Sequence, residues 1–246
     1  ILKDNRRIVM GGGGQWQEEM DIKFYFIVGT PTREVKDINQ IWRVTSKGYT
    51  DIVDNTSFEP RDIYFPSDAS SFKIRGYITG HGQEGEFIPR THTFNLNNSS
   101  PTSFSKQVWT ACAENPVYPQ GGTWIYDRAG WCPGQATDLW EEDITSLVTP
   151  GQTHTLDYGL NSASGSSNYW VSWQLVNYGA PNFNTDARII DIVSPTKSIK
   201  HFRKNPTCSK PEITIQNNGT SAITSVEFKY SVNNGDEQTY TWNGNL

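Results

Sequence analysis

The sequence of 246 residues predicts an all-β protein built around an antiparallel jelly-roll sandwich. Two observations support this prediction. Between residues 49 and 195, short runs rich in β-branched and aromatic residues alternate with turn clusters of Asn, Ser, Gly and Pro. About eight such runs can be distinguished, which is typical of a sandwich or jelly roll. The composition, with many aromatic residues beside abundant Gly, Ser, Thr and Asn, also suits a secreted β-protein that handles polar ligands such as glycans.

The segments before residue 49 are less regular. Residues 11–14 are four glycines without the Lys-Ser/Thr ending of a phosphate-binding loop, and they predict a flexible turn. Residues 20–29 alternate in polarity and predict a half-buried strand that ends at a Gly-Thr-Pro turn. Residues 32–44 have a mixed pattern. We interpret them as a link into the next domain, with three side chains turned inward: Ile38, Ile41 and Trp42.

Two segments close the β-rich region. Residues 137–148, TDLWEEDITSLV, are the one candidate helical or turn element, with their acidic residues on a solvated face. Residues 185–196 predict a buried strand that completes the unit and ends at Pro195.

The composition changes again after residue 196. Residues 197–205 form a basic linker, and residues 208–246 alternate cleanly between apolar and polar positions. Two Asn-Asn-Gly sequences, at 217–219 and 233–235, predict hairpin turns. Only three or four strand runs are present, whereas an Ig-like sandwich has about seven. This region therefore predicts a truncated Ig-like or adhesion-type sandwich.

Charge and residue usage exclude several function classes. A net charge of −5 and a pI of about 5.4 argue against nucleic acid or an anionic membrane surface as partner. No apolar run approaches the roughly 20 residues that a membrane-spanning helix needs. The four histidines are scattered and form no metal-binding spacing, so we predict no metal site. A Gly-x-Ser-x-Gly nucleophile motif is also missing.

Residues 112–134 combine two of the three cysteines, Cys112 and Cys132, with Trp, Tyr, Asp-Arg and many Gly and Pro residues. The glycines and prolines exclude a long helix or a regular central strand. The segment is either a disulfide-pinned loop that presents Trp and Arg to a ligand or a stapled loop whose tryptophans cover the core. Composition alone leaves both open. Cys208 is left over, either free or paired outside this chain.

Residues 78–94 place Glu84 and Glu86 among three glycines. Glycines let a backbone and a ligand approach closely, and a carboxylate in that setting can act as an acid, a base or an acceptor for a sugar amide. The alternative is a turn with two solvent-facing acids.

Three strings resemble the C-terminal domain of the peptide N-glycosidase F family: EFIPRTHT at 86–93, CAENP at 112–116 and WIYDRAGWCPG at 124–134. The family is a secreted bacterial amidase that removes whole N-linked glycans from asparagine. The resemblance implies two side-by-side jelly rolls with the site between them. It divides the chain into the end of an N-terminal jelly roll (1–31), a C-terminal jelly roll (32–196) and the linker with the truncated sandwich (197–246).

The resemblance also implies site residues. Glu86 corresponds to the family's glutamate beside the Asn–GlcNAc linkage and is the expected catalytic acid. The expected substrate-binding residues are Arg128, Trp131, Asp127, His81 and Trp124, with Asp127 also orienting Arg128. His81 stands where the family has a tryptophan. Glu84 and Ile88 replace cysteines that flank the glutamate, so this loop is held differently. The pair Cys112 and Cys132 matches a family disulfide.

The family's principal catalytic aspartate lies in the N-terminal jelly roll, and no matching acidic segment occurs in this chain. The sequence therefore predicts an amidase for N-linked glycoproteins or glycopeptides that is incomplete as this chain alone. It predicts no cofactor, no nucleic acid partner, no membrane insertion, a monomer, and a secreted or cell-surface location. The alternative is a non-catalytic glycan-binding or adhesion module. Copper monooxygenases share the paired jelly-roll plan but are disfavoured by the missing histidine clusters.

Overall fold

The computed structural model describes residues 23–97, 101–114, 123–161, 165–198, 201, 205 and 210–246. The described part of residues 33–181 contains eight strands and two short α-helices. In chain order they are β1 (Arg33–Gly48), α1 (Tyr49–Val53), β2 (Arg61–Tyr64), β3 (Ser71–His81), α2 (Gln83–Phe87), β4 (Arg90–Asn97), β5 (Thr102–Val108), β6 (Leu139–Asp143), β7 (Thr153–Leu160) and β8 (Asn168–Pro181).

These strands form two four-stranded antiparallel sheets, in the orders β1-β8-β3-β6 and β2-β7-β4-β5. Eight strands divided in this way over two sheets are the arrangement of a jelly roll. The prediction of an all-β antiparallel fold is therefore confirmed. The order also puts the ends of β3 and β4 beside α2, which is where the candidate site lies.

Aromatic side chains from both sheets meet in the core. Trp173 on β8 and Phe94 on β4 are fully buried, with ring centroids 4.6 Å apart. Trp42 on β1 contacts Phe94 edge-on at 6.2 Å, and Trp140 on β6 contacts Trp173 at 5.1 Å. Burial of such large rings supplies much of the hydrophobic stabilisation of a sandwich. It also holds the two sheets in fixed positions beneath the loops.

One histidine is part of this core. His92 on β4 is fully buried, and its Nδ1 lies 2.6 Å from the hydroxyl of Tyr158. Its ring is stacked near the ring of Tyr158 and is edge-on to that of Tyr169. Burial lowers the pKa of His92 from 6.5 to about 3, because the protonated ring would lose its hydration. The imidazole is therefore neutral in the folded protein.

The interpretation of residues 32–44 as a link is wrong. Residues 33–48 are β1, which pairs with β8 along its length. Ile41 and Trp42 are buried as predicted, and Ile38 is half-buried. Two consecutive residues can both face the core because the pairing register shifts between Gln40 and Trp42. Such irregularities break the period-two pattern by which a strand is recognised.

The prediction of a helix or turn at 137–148 is also wrong for the first half of this segment. Residues 139–143 are β6, which pairs with β3, and only residues 145–147 form a 3-10 turn. The acidic residues lie on a strand face. Glu141 lies 2.9 Å from Lys73 and 3.1 Å from Arg75 on β3. Cross-strand ion pairs of this kind allow a charged segment to form an edge strand.

The remaining strands form two two-stranded sheets. β9 (Ala187–Ser194) pairs with β10 (Glu212–Asn217), and β11 (Ser225–Tyr230) pairs with β12 (Gln238–Asn243). The strand predicted at 185–196 is present as β9 and ends before Pro195, but the prediction that it is buried is wrong, because Ile189, Ile190 and Ile192 are each about half exposed. The Asn-Asn-Gly turn at 233–235 closes the β11–β12 hairpin. The one at 217–219 instead connects strands of different sheets.

Among the described residues before β1, residues 24–28 form no strand and are exposed, so the predicted half-buried strand is wrong for this part. Residues 1–22, including the glycine run, lie outside the described residues, as does Cys208. The domain boundaries and the Ig-like assignment of the C-terminal region stay predictions. No helix in the described part of the chain has the length and apolar character to cross a membrane.

Candidate functional site

The site is built on the turn between β3 and α2. Strand β3 ends at His81, and α2 carries Glu86 and Phe87. Gly82 connects them with a φ of 76°, and a Cβ at this position would overlap the carbonyl oxygen of Ser166. Only glycine fits both conditions. This turn therefore fixes how α2 and its glutamate lie on the end of the sheet.

The segment 127–131 lies across this turn. The backbone N–H of Ala129 donates to the carbonyl of Glu86 at 3.0 Å, and that of Gly80 donates to the carbonyl of Ala129 at 2.9 Å. Arg128 exchanges two backbone hydrogen bonds with Thr110, which follows β5. The loop thus bridges β3, α2 and the end of β5, so its side chains have fixed positions next to Glu86.

Glu86 and Arg128 form an ion pair at the centre of the site. Arg128 Nε donates to Glu86 Oε1 at 2.6 Å, and the two side chains are 5% and 19% exposed, respectively. Arg128 Nη2 also donates to the carbonyl and hydroxyl oxygens of Thr123, each at 2.8 Å. The buried guanidinium is thus paired and hydrogen-bonded, as a charge in a protein interior must be. Glu86 is the more accessible partner.

Three rings surround this ion pair. Arg128 Cζ lies 5.2 Å from the ring centroid of Phe87 and 5.1 Å from that of Trp131, within cation–π range. The ring of Trp131 is stacked on His81 at 5.4 Å, and its Nε1 donates to the carbonyl of Gly80 at 3.0 Å. The guanidinium and its neighbouring rings therefore form one rigid cluster.

His81 is neutral at physiological pH. Burial lowers its pKa, and the negative charge of Glu86 opposes this effect only in part. Its Nε2 lies 2.8 Å from the hydroxyl of Thr79. The His81–Trp131 pair therefore offers a stacked, uncharged aromatic surface next to the Glu86 carboxylate.

The geometry can be compared with known proteins. Residues 48–178, more than half of the chain, match the family described as peptide-N-glycosidase F, C terminal. The chain belongs to the peptide-N-glycosidase F family. The family implied by the three sequence strings is thus confirmed.

Individual members of this family cover part of the chain. A stretch of 129 residues is 30% identical to the peptide-N(4)-(N-acetyl-β-D-glucosaminyl)asparagine amidase F of Elizabethkingia miricola, covering 46% of this chain and 36% of that relative. The structure of PNGase F, a glycosylasparaginase from Flavobacterium meningosepticum, is similar with a TM-score of 0.54 at 26% identity, covering 62% of this chain and 55% of that one. Another structure, of a peptide-N(4)-(N-acetyl-β-D-glucosaminyl)asparagine amidase, gives 0.53 at 27% identity with the same coverage. The chain therefore spans only about a third to a half of these relatives.

The structure brings most of the predicted site residues of this family member together. Glu86, Arg128, Trp131 and His81 form one cluster. Trp124 is half-buried, and its carbonyl lies 3.5 Å from Arg128 Nη1. Within the described ranges, no group of three or more His, Cys, Asp and Glu side chains is placed to hold a metal ion.

Asp127 has a defined partner of its own. Its Oδ1 accepts a hydrogen bond from the backbone N–H of Cys112 at 3.2 Å. This contact ties the Asp-Arg pair to the start of the disulfide-closed loop. The expected role of Asp127 in orienting Arg128 stays a prediction.

Sequence reasoning missed two residues of the cluster, Phe87 and Thr123. Phe87 contacts Arg128 through its ring, and Thr123 accepts two hydrogen bonds from Arg128. Only their positions in the sequence could have indicated that they belong to the site, since Phe87 directly follows Glu86 and Thr123 lies five residues before Arg128. Neither residue type suggests chemistry on its own.

The predicted disulfide between Cys112 and Cys132 is present, with the Cα atoms 5.4 Å apart and both residues buried. We expect the double substitution Cys112→Ser and Cys132→Ser to lower the free energy of unfolding by about 3 kcal/mol, since the bond restricts a loop of roughly 20 residues in the unfolded chain. Urea unfolding with and without reductant measures this. Reductant should destabilise the wild type and leave the variant unchanged; equal sensitivity of both would contradict the prediction.

Proposed function

We propose that this chain forms one side of the active site of a deglycosylating amidase that hydrolyses the amide bond between asparagine and the innermost GlcNAc of N-linked glycoproteins or glycopeptides. The observation that carries the proposal is Glu86. Its carboxylate is held at 2.6 Å by a buried arginine and retains an exposed edge next to the stacked rings of His81 and Trp131. Family membership supplies the reaction class.

In this proposal each residue of the cluster has a separate role. Glu86 accepts a hydrogen bond from the sugar amide and shares protons with the reacting group, which requires a carboxylate in a fixed position. Trp131 and His81 provide the ring surface against which the inner sugar lies. The Arg128 side chain is only 5% exposed, so its main role is to position Glu86 through the ion pair, and its contact with the sugar is small. Trp124 and Asp127 are further substrate-binding candidates.

The reaction needs only carboxylates and water. Water adds to the amide carbon, the C–N bond breaks, and the products are an aspartate in the peptide and a glycosylamine that later loses ammonia. We assign activation of the water to an aspartate in a preceding jelly roll, as the family resemblance implies. The amidase is therefore proposed for a polypeptide that includes such a domain, and no cofactor takes part. We propose a secreted or cell-surface bacterial monomer.

The test is Glu86→Gln in the full-length protein. We expect hydrolysis of a glycopeptide to fall at least about 100-fold, the usual contribution of a general acid or base. Mass spectrometry detects the conversion of asparagine to aspartate together with loss of the glycan. Glu84→Gln in the same helix is the matched control and should retain activity. Full activity of Glu86→Gln would show that the catalytic assignment is wrong.

The same assay distinguishes the proposed amidase from the alternative, a non-catalytic glycan-binding module. A glycan-binding module would bind chitobiose but release no glycan from any glycopeptide, even with every upstream domain present. Release by the wild type would exclude a purely binding role.

A further inference from the structure

A surface pocket of about 510 Å³ lies on the α2 side of the loop, next to the residues just described. Its volume falls within the roughly 300–1,000 Å³ typical of small-molecule sites. The roles proposed for Glu86, Trp131 and His81 do not use it. The pocket is open to solvent, so its lining residues decide what it can bind.

Three aromatic side chains form its walls: Phe87, Trp109 and Tyr126. Phe87 and Tyr126 meet nearly at a right angle, with centroids 6.4 Å apart and an interplanar angle of 85°. This edge-to-face contact packs the two rings against each other. Tyr126 is 56% exposed, so more than half of this side chain is accessible to a ligand.

Polar groups also line the pocket, together with the apolar Ile125. Gln83, Thr123 and Asp127 contribute an amide, a hydroxyl and a carboxylate. Together they offer both donors and acceptors, and only one of the three is charged. The Asp127 carboxylate is oriented by the Cys112 backbone N–H. Flat rings combined with donors and acceptors are suited to a neutral polyhydroxylated ligand, whose C–H faces lie on rings while its hydroxyls pair with polar groups.

The pocket shares one wall with the candidate catalytic cluster. Phe87 lines the pocket and also lies 5.2 Å from Arg128 Cζ, and it directly follows Glu86 on α2. A ligand in the pocket therefore sits on the same helix as the proposed catalytic acid.

We infer that this pocket is a second saccharide subsite, which binds sugar residues of the glycan beyond the innermost ones. The inference rests on the proposed function for the class of substrate. It adds residues of the pocket to the determinants of glycan preference. Occupation of both subsites increases affinity because the second contact is intramolecular.

The experiment compares two probes on the 246-residue chain by calorimetric titration: chitobiose and the trimannosyl-chitobiose pentasaccharide core of N-glycans. We expect the pentasaccharide to bind about tenfold more tightly, the size of effect that one well-placed aromatic contact and its hydrogen bonds supply. Tyr126→Ala and Gln83→Ala should remove this advantage and leave chitobiose affinity unchanged. Both side chains are exposed, so neither substitution should disturb folding, which the melting temperature checks.

Tyr64→Ala is the matched control. Tyr64 on β2 is 55% exposed, against 56% for Tyr126, but is not part of the pocket lining. It should leave the affinity for both probes unchanged. Unchanged pentasaccharide affinity in both pocket variants would overturn the inference, as would an equal loss for both probes. Weaker binding of a sugar-free peptide alone would also overturn it, because the pocket would then hold the peptide.

Failure of the subsite is distinguishable from failure of the amidase. Glycan release that does not depend on Tyr126 or Gln83, combined with unchanged binding, contradicts the subsite alone. Pocket-dependent binding of the pentasaccharide without release by the full-length protein contradicts the amidase and supports the subsite.

Discussion

Replacing Arg128 with alanine is expected to lower the free energy of unfolding by about 3–5 kcal/mol, the usual cost of breaking a buried ion pair by removing one partner. The substitution leaves the Glu86 carboxylate without its 2.6 Å donor and removes the two hydrogen bonds that Arg128 donates to Thr123. It also removes the guanidinium between the rings of Phe87 and Trp131. Urea unfolding followed by tryptophan fluorescence measures the change.

Arg75 provides the matched control. It also forms an ion pair, in which Nε lies 3.1 Å from Glu141, but both side chains are 33% exposed. Solvent screens such pairs, so Arg75→Ala should cost about 0–1 kcal/mol. If Arg128→Ala lowered the free energy of unfolding by no more than Arg75→Ala does, the buried ion pair would not be what stabilises the site.

Arg128→Lys separates charge from geometry. Lysine keeps the positive charge but lacks the planar fork that reaches Glu86 and Thr123 together. We expect an intermediate loss of stability. Glycan release should fall in parallel if Arg128 acts by positioning Glu86. Unchanged release in a folded Arg128→Lys protein would show that the carboxylate does not need this partner.

Most strands with regular alternation could be predicted from the sequence, although residues 24–28 alternate in polarity and form no strand. The prediction of strands failed where pairing between strands, rather than the local pattern, decides the structure. β1 has several register shifts along its length, and the mixed pattern they produce suggested a link. In β6 the acidic residues resembled a helix surface, but Glu141 is stabilised by two basic residues on the neighbouring strand. Neither effect is visible within a short window of sequence.

The residues of the candidate site could be named from the family motifs, but the contacts between them could not be predicted. Glu86 and Arg128 are 42 positions apart, and they meet because the loop crosses the turn after β3. The sequence also left open whether this loop is a structural staple or a ligand-binding surface. The Cys112–Cys132 bond shows that the loop is a structural staple. The exposed ring of Tyr126 supports a ligand-binding role for the same loop. A loop path of this kind depends on long-range backbone hydrogen bonds, for which the sequence carries no periodic signal.

Acidification is expected to destabilise the protein through His92. The pKa of this histidine is about 3 in the folded state, against 6.5 for an unperturbed histidine. Above pH 6.5 both states hold the neutral ring, so His92 adds no pH dependence there. As the pH falls below 6.5, the unfolded chain takes up a proton that the folded protein excludes. Stability is therefore lost progressively between pH 6.5 and 3.

The expected loss at pH 4 relative to pH 7.5 is about 3 kcal/mol, since one pKa unit corresponds to about 1.4 kcal/mol. Other groups titrate over the same range, so the measured quantity is the difference between wild type and His92→Gln. Glutamine keeps a polar group near the Tyr158 hydroxyl and cannot be protonated. The variant should be less stable at pH 7.5 but should lose about 3 kcal/mol less on acidification.

His154→Gln is the control for this comparison. His154 is partly exposed at the edge of the sandwich, where its Nε2 accepts a hydrogen bond from the backbone N–H of Thr149 at 3.1 Å. It measures the effect of a histidine-to-glutamine substitution at a position that is not buried. In the folded protein, His92 Nε2 has no hydrogen-bond partner in the part of the chain that the structure describes, so a proton there would be buried without an acceptor. Parallel pH profiles for wild type and His92→Gln would mean that the core admits the charged ring, contrary to its complete burial.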